Sequence, residues 1–91
     1  MVERQIEVIN LLGLHARAAA RFVRTASRFK SKITITKEET TIDGKSILGI
    51  LFLAASAGSQ ITITASGEDE SEAVDALTNL VAEGFGEGTM A

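Results

Sequence analysis

The sequence predicts an α+β fold: an open-faced β-sandwich of order βαββαβα, with a four-stranded antiparallel sheet covered on one face by three helices. Three observations predict it. Apolar and polar residues alternate with period two in some short segments, recur with helical period in others, and the connections between them are short. Alternating strands imply one buried and one wetted sheet face, so amphipathic helices must cover the buried face. A chain of 91 residues, 45% hydrophobic and without proline, suffices for one core, and residues 1–91 are expected to form one domain.

Gln5-Ile6-Glu7-Val8 alternates as the first strand, and Ala19, Phe22, Val23 and Ala26 then recur at helical spacing, with Phe29 extending the stripe. Ile33-Thr34-Ile35-Thr36 alternates again, Lys37-Glu38-Glu39 reads as a turn, and Thr40-Thr41-Ile42 returns as a short strand before Asp43-Gly44. Residues 47–53 are almost wholly apolar and read as a short helix, followed by Ala54-Ala55-Ser56-Ala57 and the helix-stopping Gly58. Ile61-Thr62-Ile63-Thr64 forms the last strand. Ala73, Val74, Leu77, Leu80 and Val81 trace the buried side of a final helix whose acidic start suits its dipole, before Gly84, Gly86 and Gly88 release the chain.

Composition excludes several functions. The net charge of −3 argues against general nucleic-acid binding, and no tryptophan or tyrosine is present to stack bases; the few phenylalanines sit in apolar helical patterns. The absence of cysteine removes disulfides and thiolate metal sites and fits a reducing compartment. Met1-Val2-Glu3-Arg4-Gln5 lacks the apolar core of a signal peptide, and no apolar run approaches a membrane span, so a cytoplasmic location is expected. No metal or organic cofactor is implied.

The single histidine, His15, lies in Gly13-Leu14-His15-Ala16-Arg17, between a strand and a helix start. Unpaired N–H groups and the positive end of the helix dipole make that place favourable for a phosphoryl group. Arg17 adds a charge and a fork of donors. Gly13 permits a sharp bend, and Ala16, Ala18, Ala19 and Ala20 leave the helix start open to a large partner. Taken alone, a histidine at a helix start is more often an ordinary surface residue; its context decides.

Gly13-Leu14-His15-Ala16-Arg17 with Ala19-Ala20 and Phe22-Val23 resembles the phosphorylation signature of HPr, the histidine-containing phosphocarrier family of the bacterial sugar phosphotransferase system. Gly44-Lys45-Ser46-Ile47-Leu48-Gly49-Ile50 is similar to that family's regulatory serine and following short helix, and the segment from Leu80 to Glu87 resembles its ending. The resemblance spans nearly the whole chain. It implies a monomeric carrier, not an enzyme with its own small substrate: Nδ1 of His15 accepts a phosphoryl group from Enzyme I, charged from phosphoenolpyruvate, and passes it to sugar-specific transporter components or regulators. Two positions depart from the pattern. Ala18 replaces a usual proline, which costs preorganisation of about 0.4–1 kcal/mol; Leu12 replaces a polar residue that orients the imidazole in many relatives.

Ser46 before an apolar run is an expected N-cap, typically contributing about 1 kcal/mol relative to alanine. By resemblance it is also the residue that a serine kinase modifies in many bacteria. Gly44-Lys45-Ser46 is not a phosphate loop, because position 39 is glutamate where that motif needs glycine. Arg17, Arg21, Arg24 and Arg28 fall on one helical face, a solvated stripe that also suits docking to acidic partners. With Ala16 and Ala20, the residues Ile47, Leu48 and Leu51 are divided between core and the apolar centre of such a patch. Two further readings stand beside the sugar carrier: a regulatory or nitrogen-related paralogue phosphorylated on the same histidine, and a non-phosphorylated module binding an anion at the helix start.

Overall fold

The computed structural model describes residues 1–88. Strand β1 (Val2–Glu7) is followed by helix α1 (Ala16–Ala26), β2 (Lys32–Lys37), β3 (Thr40–Asp43), α2 (Ile47–Leu53), β4 (Gln60–Ser66) and α3 (Glu70–Ala82), then a turn at Gly84–Gly86. The order is the expected βαββαβα. The sheet runs β1-β4-β2-β3 with every neighbouring pair antiparallel, so β1 and β2 are parallel to each other and flank β4. Each βα crossover therefore skips one strand position, the split βαβ arrangement.

Alternation explains which sheet face is buried. Ile33 and Ile35 of β2 stand opposite Ala65 and Ile63 of β4, and all four are buried against Phe22, Ile50, Leu77 and Phe85. Threonines 34, 36, 62 and 64 point the other way, and Thr36 and Thr41 join their hydroxyls across the β2–β3 pair at 2.8 Å.

Three local expectations are corrected. Strand β1 begins at Val2, three residues before the alternating segment, because Arg4 occupies a helix-side position opposite Ile63 and satisfies its charge on Asp75 of α3 at 2.9 Å. Helix α1 ends at Ala26, so Arg28 lies beyond it; its N–H bonds back to the Thr25 carbonyl, and Phe29 still packs on the core. Helix α2 is stopped by Ala54 rather than Gly58: Ala54 adopts the left-handed conformation (φ 53°, ψ 42°) and returns its N–H to the Leu51 carbonyl. Gly58 serves the next turn, where its N–H bonds to the Val8 carbonyl at 2.8 Å. Phe52 falls within the apolar run yet is 77% exposed, because only Ile50 and Leu53 of α2 turn inward.

At the start of α3, Asp69 does not cap its own helix. Its carboxylate instead accepts the Lys30 and Ser31 N–H groups at 2.8 and 2.9 Å and the Ser31 hydroxyl at 2.5 Å, tying the α1–β2 loop to α3. The Ser31 hydroxyl foremost, then the Lys30 amide, hold the Asp69 carboxyl below its ordinary pKa. A depressed folded-state pKa stabilises the fold above the unfolded value and is lost as pH falls through the folded one. Asp69→Asn is therefore expected to lower stability at neutral pH and to flatten its loss in acid below about pH 4. Denaturant titrations across pH check this, and curves parallel to the parent's at every pH would contradict it.

Candidate functional site

The site begins with a loop whose backbone is forced. After β1, Val8 is buried and its N–H bonds to the Ser59 carbonyl; the chain then turns through Asn10, whose carbonyl accepts the Gly13 N–H at 3.0 Å. Gly13 has φ +65°, and a Cβ there would lie 2.6 Å from the Ala55 carbonyl oxygen and 2.8 Å from Ser56 Cα. Both contacts are with backbone, so no side-chain adjustment relieves them and glycine is required. The buried Leu14 donates its N–H to Ala55 at 2.9 Å, which sets the entry angle of α1.

His15 is the N-cap of α1, extended at φ −78°, ψ −178°, and its Nδ1 accepts the Arg17 N–H at 3.3 Å. An acceptor nitrogen carries no proton. The other ring nitrogen, Nε2, lies 2.9 and 2.7 Å from the two carboxylate oxygens of Glu87 and donates to them. Both ring positions are thereby assigned: the neutral imidazole carries its proton on Nε2 and keeps the Nδ1 lone pair at the helix start. The His15 side chain remains 26% exposed while that of Glu87 is 11% exposed. The His15 N–H is the largest influence holding the Glu87 carboxyl below its usual range, against partial burial, with the Asn10 amide and the charge of Arg21 assisting.

Glu87 reaches the ring because the chain after α3 folds back. Gly84, Phe85 and Gly86 all have left-handed backbone, at φ 63°, 57° and 74°, and buried Phe85 anchors the turn in the core. Arg21 donates to the Phe85 carbonyl, and the Leu11 N–H to the Gly88 carbonyl at 2.8 Å. Asn10 completes the attachment through Glu87 Oε1 at 3.0 Å.

The sequence-expected residues divide accordingly. Arg17 is exposed, and among the described residues its guanidinium engages no partner; it is the Arg17 backbone N–H that meets Nδ1. Arg21 is half-buried and holds the tail, so it is not a free member of the arginine stripe; Arg24 is exposed on α1. Ala16 is exposed and Ala20 half-buried, whereas Ala18, at the proline position, is fully buried. Leu12 is 71% exposed, and the group that orients the ring is Glu87, not residue 12.

Helix α2 packs against α1. Ser46 caps it, its hydroxyl accepting the Gly49 N–H at 3.0 Å, while Lys45 is drawn off to the Phe29 carbonyl at 2.7 Å. Ile47, Leu48 and Leu51 are all exposed, so all three fall on the patch side of the expected division, and Phe52 joins them as an exposed aromatic. Ser46→Ala is expected to cost about 1 kcal/mol in denaturant unfolding while leaving the sheet intact. An unchanged midpoint would mean that the cap bond contributes nothing.

Comparison with known proteins identifies the family. Residues 2–83 match the family model described as the PTS HPr component phosphorylation site. The chain belongs to the HPr family. Phosphocarrier protein HPr of Neisseria meningitidis serogroup B is 50% identical over 88 residues, covering 97% of this chain and 99% of the relative. The HPr-like protein Crh of Halalkalibacterium halodurans is 49% identical over 77 residues, 85% of this chain and 92% of that one. A crystal structure of HPr from Thermoanaerobacter tengcongensis superposes with a TM-score of 0.93 at 47% identity, covering 96% and 98% of the two chains. HPr proteins are phosphocarriers of the phosphotransferase system, and this chain shares their sheet order and helix placement. Among the described residues no helix is long and apolar enough to cross a membrane, and no group of three or more His, Cys, Asp or Glu side chains is placed to hold a metal.

Proposed function

We propose that the chain, as one domain over residues 1–91, carries phosphoryl groups stoichiometrically on Nδ1 of His15, from phosphorylated Enzyme I to sugar-specific components of the phosphotransferase system. The observation that carries this reading is the ring held at both nitrogens, with Nε2–H on Glu87 and the Nδ1 lone pair at a helix N-terminus. The long 3.3 Å bond from the Arg17 amide yields easily as Nδ1 turns to phosphorus. A bond from Nδ1 to phosphorus forms while the donor's bond to phosphorus breaks and its electron pair returns to the donor. The amide N–H and the Arg17 guanidinium face the equatorial oxygens. The ring is then an imidazolium whose Nε2–H sits on a carboxylate, the same division of labour as in carboxylate–histidine pairs of hydrolases. Reversal onto an acceptor follows because protonated imidazole is a good leaving group. Incubation with Enzyme I and labelled phosphoenolpyruvate tests the proposal: acid-labile, base-stable label supports it, and none with competent Enzyme I sinks it.

A second reading, regulation rather than sugar uptake, is supported by the likeness to the HPr-like protein Crh and by the exposed surface beside Ser46. Ser46→Asp is expected to keep the fold, since aspartate also caps, and to weaken association with Enzyme I by repelling an acidic docking face. Raising salt should narrow the gap between variant and parent. Parent-like affinity of Ser46→Asp at low salt would leave Ser46 with its capping role alone.

A further inference from the structure

The site loop contains one buried polar side chain that the transfer chemistry leaves unused. Asn10 is fully buried, and its Nδ2 donates to the Gly13 carbonyl at 2.7 Å and to Glu87 Oε1 at 3.0 Å, while Oδ1 has no partner among the described residues. The amide cannot be turned over. Exchanging its oxygen and nitrogen would set a carbonyl against the Gly13 carbonyl and the Glu87 carboxylate. An unpartnered buried oxygen is a cost that an apolar side chain of similar volume would avoid. The loop does not need the amide to close, because the backbone bond from Gly13 N–H to the Asn10 carbonyl already closes that turn.

What the amide alone supplies is a neutral donor to Glu87. A leucine would leave the carboxylate free to rotate about its last bond, and a lysine or arginine would compete with the histidine as its counter-ion. An amide fixes one oxygen without taking up the charge. We infer that Asn10 is a positioning residue for His15, holding the Glu87 carboxylate where it keeps the ring proton on Nε2 and the Nδ1 lone pair free. This rests on the reading of His15 as phosphoryl acceptor for its functional consequence, though not for its geometry.

The test begins with nitrogen-15 spectra of the unphosphorylated protein, which report the His15 tautomer without any partner. In the parent the neutral ring should be protonated almost wholly on Nε2; in Asn10→Ala the Nδ1-protonated form should rise, and the Glu87 carboxyl, followed by carbon-13, should titrate at higher pH than in the parent. Phosphorylation by Enzyme I should slow about tenfold, the loss expected for one hydrogen bond to a charged group. If Asn10→Ala does not fold, the parent still decides the matter: the Asn10 Nδ2 protons should shift with the protonation of Glu87. A folded variant with the parent's tautomer and Glu87 titration, or Nδ2 protons indifferent to Glu87, would overturn the inference. Absence of label in the parent strikes the carrier reading instead and leaves the tautomer result standing.

Discussion

His15→Ala is expected to abolish labelling by Enzyme I and phosphoenolpyruvate completely while leaving the fold in place. Completeness follows from composition, because no second imidazole exists to take over, and no cysteine offers an alternative nucleophile of comparable strength. Retention of the fold follows from position. The side chain is partly exposed, and its loss removes a weak 3.3 Å cap bond and the contact with Glu87, not core packing. The phosphoamidate should be lost in acid and survive base in the parent, and the variant should unfold cooperatively with a midpoint close to the parent's. Label persisting in His15→Ala would place the acceptor elsewhere.

The second large effect is expected at Arg17. Arg17 lies two residues after His15, is exposed, and its guanidinium has no intramolecular partner among the described residues to surrender if phosphate arrives. Charge on the phosphoryl oxygens must be met in the transfer state more than in the docked complex, so Arg17→Ala should raise the barrier by about 2–4 kcal/mol and leave docking largely intact. Rapid-quench transfer rates alongside equilibrium binding separate the two. Arg21→Ala provides an informative contrast, since Arg21 is committed to the Phe85 carbonyl and its removal loosens the tail rather than stripping phosphate of a donor. Parent-like transfer by Arg17→Ala would remove that residue from the site.

The elements were legible because each has an unambiguous period. Ile-Thr repeats at 33–36 and 61–64 admit only a half-buried strand, and the turn between β2 and β3 falls where Glu38 and Glu39 interrupt the pattern. Misreadings arose where a tertiary contact outweighed local character: Arg4 on the helix side of β1, and Ala54 in the left-handed region. His15 and Arg17 were found from neighbours within a single turn. Glu87 and Asn10 were not, since a carboxylate 72 residues from the ring leaves no local pattern, and an asparagine before a glycine turn looks like turn chemistry alone. The available hint was an acidic residue between the glycines of the tail.

The separation between ring and carboxylate has a consequence for synthesis. A ribosome emits His15 early, but β1 has no ladder partner until β4 appears, and Glu87 follows α3. Closing such a span carries a loop-closure cost that only the assembled sheet repays. During translation His15 is therefore present on a chain that cannot yet hold its tautomer, and the contact at Nε2 forms only when the final turn folds back.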